Sequence, residues 1–217
     1  MQVVPAILPH SFEELTEKLS RIDGLSRDVQ IDICDGKFGR EVTWIPDGTE
    51  TLPQGFVYEF DLMVANCQPV VQAALTLGAK RIVIHADLMS EEQMRECAQM
   101  IVAQGASVGV AVSNDQTIDE HVAMLRAARN VDSQAYAQVM GIRSIGEQGQ
   151  IFDEETPARI VALKQQVGDV LVQVDGAMNP TNAPRVLESG AETLVVGSYI
   201  FGDNDPGTAL ATMNNLA

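Results

Sequence analysis

The feature of this sequence that most constrains its fold is a repeated alternation of short apolar runs with segments of helical periodicity. Eight apolar runs recur at intervals of roughly 25–30 residues, which is the spacing of strand–helix units. Because parallel strands need a long crossover between them, this alternation predicts a parallel sheet covered by helices. The predicted strands are residues 3–8, 29–34, 56–64, 81–85, 108–112, 135–142, 170–174 and 193–196.

Helices are predicted between most of these strands from apolar residues spaced three or four positions apart. Ser11 is a predicted N-cap, and Glu14 three residues later completes the pattern of a capping box. Ser90 is the predicted cap of a later helix, and Asn179 or Thr181 is the predicted cap of a short helical segment near residues 183–187. Apart from that short segment, and with the helices capped by Ser11 and Ser90 included, the predicted helices are residues 12–22, 67–77, 91–104, 116–128, 156–167 and 206–216.

Eight strand–helix units predict an α/β fold, a (β/α)8 TIM barrel, in a single domain of residues 1–217. The sequence has no linker, low-complexity run or second compositional region. An open doubly wound sheet is the alternative, but it is expected to carry a glycine-rich fingerprint that this sequence lacks. No apolar run is long enough to span a membrane.

The chain is strongly acidic, with 30 acidic against 14 basic residues and a formal net charge of −16. This balance argues against nucleic acid and against an anionic membrane as partners. An anionic ligand must therefore be attracted by local groups, against the overall field. The scattered Cys34, Cys67 and Cys97 predict free thiols in a reducing compartment. Met1 leads directly into a predicted strand without a signal peptide, so a cytoplasmic location is expected.

A barrel of this class carries its site at the carboxyl ends of the strands. Asp35 and Asp87 at these ends are also explained as helix caps or loop acids. Asp32 and Asp61 lie within apolar alternation, and a buried carboxylate without partners is costly, so they are the stronger functional candidates. The polar residues predicted at this end are Asp32, Asp35, Asp61, His85, Asp87, Asn114, Arg143, Asp175 and Ser198.

Residues 170–202 form a predicted strand–helix–strand unit whose two strands end on small residues. The first strand ends on Asp175 and Gly176, and the second on Gly197 and Ser198. Glycine allows a ligand to approach the backbone closely, and exposed backbone N–H groups at such a point suit a phosphate. Each glycine alone is explained by a tight turn, but two such ends on adjacent strands predict a phosphate site.

On these and further segments the chain resembles ribulose-phosphate 3-epimerases and relatives that act on other ketose phosphates. The resemblance covers nearly the whole chain in order, and its D-G-x-F and V-D-G-x-x-N elements are specific at this spacing. The similar segments are residues 4–8 (VPAIL, beside A-P-S-I-L), 32–38 (DICDGKF, beside D-x-M-D-G-x-F), 62–64 (LMV, beside the end of H-L-M-V), 149–152 (GQIF, beside G-Q-x-F), 174–179 (VDGAMN, beside V-D-G-G-I/V-N) and 196–201 (VGSYIF, beside A-G-S-x-I/V-F).

The resemblance implies an isomerase that inverts the carbon beside a ketone through an enediolate. One carboxylate removes a proton from one face and another returns a proton on the other face; the resemblance assigns these roles to Asp32 and Asp175. It also implies a methionine roof, matched by Met63 and Met140 with Cys34 in the third position. The residues implied to hold the substrate and its phosphate are Gly149, Gly176, Ala177, Gly197, Ser198, Met63, Met140 and Arg143.

The implied metal site departs most from the family pattern. The two metal-binding histidines of the family fall on Gln30 and Asp61, which with Asp32 and Asp175 would make an all-oxygen ligand set. Such a set suits Mg²⁺, Mn²⁺, Ca²⁺ or Fe²⁺ better than Zn²⁺. The alternative is that no metal binds, and one of the three acids then has a raised pKa. His85 could help to polarise a carbonyl, or be satisfied by the backbone.

The loop after the sixth strand also departs from the family. Residues 143–150 stand where the family has N-P-G-F-G-G-Q and are one residue longer. Arg143 could pair with a phosphate or carboxylate of the ligand, or be an ordinary surface arginine. Ala6 stands where the family carries a small hydroxyl residue near the start of the first strand.

Three functions remain open from the sequence. One is a ketose-phosphate 3-epimerase-like enzyme for ribulose 5-phosphate or a related pentulose or hexulose phosphate, and a second is a non-catalytic or repurposed sugar-phosphate-binding barrel. The third, decarboxylation or aldol cleavage, usually needs a lysine at an inner strand end. The lysines fall instead on helices, loops or strand starts: Lys18, Lys37, Lys80 and Lys164. A phosphorylated sugar is the expected partner, and a homo-oligomer is expected.

Overall fold

A computed structural model describes residues 1–143, 145 and 149–216. The eight apolar runs form parallel strands that close into one barrel in the order of the sequence, with the last strand pairing with the first. The predicted TIM barrel is therefore confirmed. The strands are β1 Gln2–Ile7, β2 Asp28–Cys34, β3 Val57–Met63, β4 Arg81–His85, β5 Ser107–Val112, β6 Tyr136–Met140, β7 Val172–Asp175 and β8 Thr193–Val196.

Helices follow every strand except β2. Residues 35–56, all of which the structure describes, connect β2 to β3 without a helix and contain one isolated bridge, between Asp35 and Val42. Trp44 in this connection packs against Phe12, with 5.4 Å between the ring centroids. The helices are α1 Phe12–Arg21, α2 Cys67–Thr76, α3 Glu91–Ala103, α4 Ile118–Arg129, α5 Thr156–Val167, α6 Ala183–Glu188, α7 Ser198–Phe201 and α8 Pro206–Asn214.

The alternation within the strands separates two layers of the barrel. In β2, Ile31 and Ile33 face outward into the apolar core between strands and helices. Gln30 and Asp32 alternate with them and are buried in the barrel interior. Because successive side chains of a strand point to opposite faces, one run of sequence supplies both an apolar outer layer and a polar inner one.

The helix starts agree with the sequence in part. Ser11 accepts a hydrogen bond from Glu14 N at 3.1 Å, as predicted for an N-cap. The predicted capping box is wrong, however, because Glu14 accepts from His10 N at 2.7 Å rather than from Ser11 N. A complete capping box is present instead at the start of α3, between Ser90 and Gln93.

Element ends shift by one to two residues from the predicted limits at several places, as is usual for strands and helices that fray. The largest correction concerns α6, whose N-cap is Asn182 rather than Asn179 or Thr181. Asn179 stabilises the preceding turn, where its Oδ1 accepts from Thr181 N at 2.9 Å and from Asn182 N at 3.1 Å. Within the described part of the chain, no helix is both long and apolar enough to cross a membrane.

Candidate active site

A cavity opens at the carboxyl ends of the strands, where a barrel of this kind places its site. Asp32 at the end of β2 and Asp175 at the end of β7 both line it. Residues 149–150 and the segments that follow β7 and β8 complete its wall. Of the residues predicted from the sequence, those that line this cavity are Asp32, Asp175, Met63, Met140, Gly149, Gly176, Ala177, Gly197 and Ser198.

Below the cavity, polar side chains rather than apolar ones fill much of the barrel interior. Tyr136 donates its hydroxyl to Glu59 at 2.6 Å, and Arg81 Nε donates to the same carboxylate at 2.8 Å. Gln173 Nε2 donates to Glu59 at 3.0 Å and to Gln138 Oε1 at 2.6 Å. These partners offset the desolvation that the fully buried Glu59 carboxylate would otherwise suffer.

Asp61 joins this network to the mouth of the barrel. Its Oδ2 accepts from Gln138 Nε2 at 2.9 Å, and His85 Nε2 lies 3.0 Å from its Oδ1 and 3.3 Å from its Oδ2. Both side chains of this pair are buried. Although burial favours the neutral imidazole, the charge of Asp61 and its hydrogen bond raise the pKa of His85. Asp61 therefore favours the charged form of His85 more than burial without a partner would.

Asp32 and Asp175 sit where ionisation is disfavoured. Burial, followed by the charge of Asp61, raises the pKa of Asp32 to about 8, although Gln30 Nε2 opposes this by donating to Asp32 at 2.9 Å. Asp175 is partly exposed to the cavity but enclosed by protein, and this burial raises its pKa well above the usual value. The charges of Asp32 and Asp61 act in the same direction, and His85 opposes them. Because the charge of Asp32 raises the pKa of Asp175, the two acids lose their protons in succession.

The opposite wall of the cavity is formed by backbone after β7. Gly176 and Ala177 have φ angles of +103° and +54°, in the left-handed region that alanine occupies at a cost of roughly 1–2 kcal/mol. Asn182 Nδ2 donates to the carbonyl oxygen of Ala177 at 2.8 Å and stabilises this turn. Ser198 begins α7 on the neighbouring strand end, so its backbone N–H has no acceptor within the helix and is available to a ligand.

Gly141, directly after β6, packs against this turn. Its N–H donates to the carbonyl oxygen of Asp175 at 2.6 Å, and its own carbonyl accepts from Asp153 N at 2.8 Å. A Cβ at this position would overlap the carbonyl oxygen of Gly176. Sequence reasoning missed Gly141, because it placed this glycine inside the predicted strand 135–142, whereas β6 ends at Met140.

The connection between β2 and β3 covers part of the mouth. Phe38 places its ring edge against His85, with 5.4 Å between the ring centroids. Asp35 accepts from Phe38 N at 3.0 Å and from Ala65 N at 2.9 Å, so it holds the loop in place. Asp87, the other acid explained as a loop or cap residue, also binds a backbone N–H: it accepts from Ser113 N at 2.9 Å.

Eight of the residues predicted at or near the site do not line the cavity: Gln30, Cys34, Asp35, Asp61, His85, Asp87, Asn114 and Arg143. Gln30 and Asp61 lie below it in the polar interior, and Cys34 packs beside it with its Sγ 3.7 Å from Met63 Sδ. Arg143 is 60% exposed, and its Nε lies 3.2 Å from Asp153 Oδ2. Arg143 therefore forms a local ion pair away from the two acids, while residues 144 and 146–148 of its loop lie outside the described residues.

The predicted metal ligands do not form a metal site. Gln30 directs its amide nitrogen, a donor, towards Asp32, whereas a cation needs oxygen lone pairs. Asp61 accepts from Gln138 through its Oδ2 and pairs with His85, which leaves only its Oδ1 without a hydrogen bond. Among the residues that the structure describes, no three His, Cys, Asp or Glu side chains are arranged to hold a metal ion. The donor set Gln30, Asp32, Asp61 and Asp175 therefore does not fit a divalent metal.

The cavity also contains side chains that sequence reasoning did not single out as ligand contacts. They are mainly apolar and shape the space between the two acids and the backbone wall. Their only signal in the sequence is adjacency to a predicted motif, because apolar residues at strand ends are common in any barrel. These residues are Ala6, Leu8, Ile142, Gln150, Met178 and Val195.

Comparison with known proteins gives consistent matches. The Ribulose-phosphate 3 epimerase family matches residues 2–201. The chain is 27% identical over 221 residues to the ribulose-phosphate 3-epimerase of Bacillus subtilis (strain 168), covering 97% of each chain. It is 26% identical over 215 residues to the cytoplasmic isoform of ribulose-phosphate 3-epimerase of Oryza sativa subsp. japonica, covering 98% of this chain and 92% of the relative.

Solved structures support the same architecture at lower identity. A 3-hexulose-6-phosphate synthase superposes with a TM-score of 0.73 at 17% identity, over 100% of this chain and 99% of that chain. A protein described as native KDPGal superposes with a TM-score of 0.66 at 19% identity, over 100% of this chain and 97% of that chain. These likenesses establish the fold alone.

Proposed function

Because this chain belongs to the ribulose-phosphate 3-epimerase family, we propose that it is an epimerase-like isomerase of ketose phosphates. Its substrate is ribulose 5-phosphate or a related pentulose or hexulose phosphate. The observation that carries the proposal is that one cavity brings together two carboxyl groups of raised pKa, Asp32 and Asp175, and the backbone wall at Gly176 and Ser198.

The two carboxyl groups suit proton transfer on opposite faces of one carbon. In the closed barrel, β2 and β7 are separated by β1 and β8, so Asp32 and Asp175 approach the cavity from different directions. A substrate that lies between them can lose a proton to one carboxylate and regain a proton from the other carboxylic acid. This exchange inverts the carbon next to the ketone, and each catalytic cycle exchanges the protonation states of the two acids.

The raised pKa values supply the mixed protonation state that this reaction needs. One acid must be ionised to remove a proton while the other is neutral to donate one. Asp32, with a pKa of about 8, is mainly protonated at neutral pH, and the raised pKa of Asp175 also favours its protonated form. We therefore expect activity to rise with pH towards about 8, and to fall again at higher pH when the second acid ionises.

The β7–β8 wall suits the phosphate of the substrate. Gly176, Ala177, Gly197 and Ser198 bring main chain to the cavity surface, and backbone N–H groups bind phosphate oxygens without needing a positive side chain. This matters in a chain of net charge −16, because a general electrostatic attraction of the sugar phosphate is absent. Gly149 lines the same cavity and extends the proposed site.

We place no metal in this mechanism, because the donors do not fit one. The negative charge of the enediolate is met instead by the neutral acid of the pair, which hydrogen-bonds to it. The raised pKa of His85 favours its charged form, and that charge opposes the increase in the pKa of Asp175. His85 is thus a positioning and electrostatic residue, and Asp61 and Phe38 hold its ring.

Solvent exchange tests the proposal directly. The protein is incubated in D₂O with ribulose 5-phosphate and a panel of pentulose and hexulose phosphates, with EDTA or with Mn²⁺, and followed by NMR. We expect one deuterium to enter at the carbon beside the ketone, at the same rate with EDTA as with Mn²⁺. If exchange appears only after Mn²⁺ is added, the protein is an epimerase but its mechanism is not metal-free. No exchange on any of these substrates would overturn the enzyme assignment.

A sugar-phosphate-binding protein without catalysis is the second candidate. The observation that favours it is the replacement of the family's metal-binding pattern at Gln30 and Asp61, while the backbone wall remains. This function predicts that ribulose 5-phosphate raises the melting temperature but that no solvent deuterium enters it. Equal stabilisation by ribulose without phosphate would contradict a phosphate site.

The predicted homo-oligomer, cytoplasmic location and single-domain limits stay predictions.

A further inference from the structure

Two of the three cysteines, far apart in the sequence, meet on the outside of the barrel. Cys67 is the first residue of α2, and Cys97 lies within α3. Their Sγ atoms are 3.1 Å apart, and both side chains are buried, with Cys67 at 8% exposure nearer the surface. Cys34 is separate from this pair, beside Met63 at the mouth.

The surroundings make the two thiols unequal. The hydrogen bond between the two thiols lowers the pKa of Cys67, against the effect of burial, and the backbone at the start of α2 acts in the same direction. The same hydrogen bond and burial raise the pKa of Cys97. Cys67 is the nucleophile of the pair, because it lies nearer the surface at the start of α2 and its lowered pKa favours the reactive thiolate.

We propose that Cys67 and Cys97 form an oxidisable dithiol that closes to an intrachain disulfide linking α2 to α3. A disulfide bond is about 2.0 Å long, so the sulfur atoms must approach by about 1 Å from their present separation of 3.1 Å. We expect rotation about the side-chain bonds of the two cysteines to supply a movement of this size. The pairing is independent of the proposed epimerase function.

The chemistry needs an oxidant, and a small-molecule disulfide such as oxidised glutathione supplies it. The Cys67 thiolate attacks one sulfur of the oxidant, and one glutathione thiolate leaves and takes up a proton. The Cys97 thiol then loses its proton, and its sulfur attacks Cys67 in the mixed disulfide and releases the second glutathione. The protein loses two hydrogen atoms, and one oxidised glutathione becomes two reduced ones.

The bond would act on the strand that carries Asp61 and Met63. α2 begins only four positions after Met63, the last residue of β3, and Ala65 between them donates its N–H to Asp35 on the neighbouring loop. A link from Cys67 to α3 closes a loop of about thirty residues and restrains this corner of the mouth. Such a loop is expected to raise the melting temperature by roughly 5–10 °C.

Mass spectrometry tests the pairing on the whole folded protein. After incubation with oxidised glutathione and alkylation of remaining thiols, we expect a Cys67–Cys97 peptide pair, one alkylated thiol at Cys34, and a raised melting temperature that dithiothreitol reverses. Cys67→Ser and Cys97→Ser are matched variants. Each is expected to stop at a single glutathione adduct or at free thiols, without the rise in melting temperature.

Several outcomes would overturn the inference. Three alkylated cysteines after treatment of the wild-type protein would show that the pair does not oxidise. A bond from Cys34, or between two chains, would show that contact at 3.1 Å does not direct the pairing. The same rise in melting temperature in Cys97→Ser would assign it to another cause. Because the peptide map needs only the wild-type protein, a variant that fails to fold does not remove the test.

Discussion

The β7–β8 side of the cavity is built from main chain, whereas the β2–β4 side is built from side chains. On the first side, the contacts offered to a ligand come from Gly176, Ala177 and Ser198. On the second, Asp32 faces the cavity above a buried pair, Asp61 and His85. Asp175 ends β7 and so stands where the two sides meet.

The difference between the two sides explains where this chain keeps its family's pattern and where it departs. A main-chain site depends on backbone conformation, so it survives substitution as long as small residues remain at the turns. A side-chain site changes its chemistry with a single residue. Gln30 and Asp61, which the resemblance places where the family has metal-binding histidines, belong here to a network of buried hydrogen bonds.

The largest effect is expected from Asp175→Asn, which removes a proton carrier where the two sides meet. An amide cannot exchange a proton at this position, so we expect solvent deuterium exchange to fall by at least about 10³-fold, with phosphate binding kept. NMR exchange and thermal shift with ribulose 5-phosphate measure the two effects. Asp115→Asn, an exposed acid at the same end of the barrel, is the matched control and should keep its activity. Full activity in Asp175→Asn would contradict the two-acid mechanism.

Gly141→Ala tests the main-chain side. Because the new Cβ would overlap the carbonyl oxygen of Gly176, the turn after β7 must move, and we expect the free energy of unfolding to fall by about 2–4 kcal/mol. Urea unfolding measures this loss, and the affinity for phosphate should fall as well. Gly207→Ala is the control, since its Cβ would meet only side-chain atoms at 3.2 Å or more. Equal effects of the two substitutions would argue against close packing at Gly141.

Asp32→Asn tests the side-chain side through stability. The raised pKa values of Asp32, Asp175 and His85 mean that the folded chain binds more protons than the unfolded chain between pH 6.5 and 8.5. Stability should therefore fall as pH rises across this window, by at most about 1.4 kcal/mol per pH unit for each proton. Removing the acid should raise the free energy of unfolding at pH 8 by about 2 kcal/mol and flatten this slope.

Asp35→Asn is the control for the Asp32 experiment, because the protein lowers the pKa of Asp35 but raises the pKa of Asp32. Although burial acts the other way, backbone N–H groups of Phe38 and Ala65 lower the pKa of Asp35. We expect this substitution to lower the free energy of unfolding at pH 8 by about 1 kcal/mol. Urea unfolding at pH 6.5 and 8.5 compares the two. An unchanged pH slope in Asp32→Asn would show that Asp32 is ionised throughout this range.

The smallest effect is expected from Ser198→Ala. If the phosphate is held mainly by backbone N–H groups, loss of one hydroxyl should weaken the binding of inorganic phosphate or ribulose 5-phosphate only about two- to tenfold. Isothermal titration measures this change, with Ser113→Ala as a control outside the cavity lining. A loss of 100-fold or more would mean that the side chain, rather than the backbone, dominates on this side.

Local pattern predicted the barrel and the strand-end residues of its cavity, whereas Met63, Met140 and Gly149 were predicted from the resemblance to the family. Apolar runs at regular spacing define the strands, and residues at strand ends must meet at one mouth. Gly141 was not found because it lay inside the predicted strand 135–142, and Met178 because nothing local distinguishes it from other loop residues. The capping box at Ser11 failed for a similar reason, because Glu14 has His10 N within reach as an alternative donor.

What the sequence determined by itself was the alternation that closes the barrel and the placing of Asp32 and Asp175 at strand ends. Only the tertiary structure decided what those acids face. Gln138 and Asp61 are 77 positions apart in the chain, and Cys67 and Cys97 are 30 apart, yet each pair is in hydrogen-bond contact. The physical reason is that periodicity sets which face a side chain occupies, whereas closure of the sheet and its register set which partners share that face.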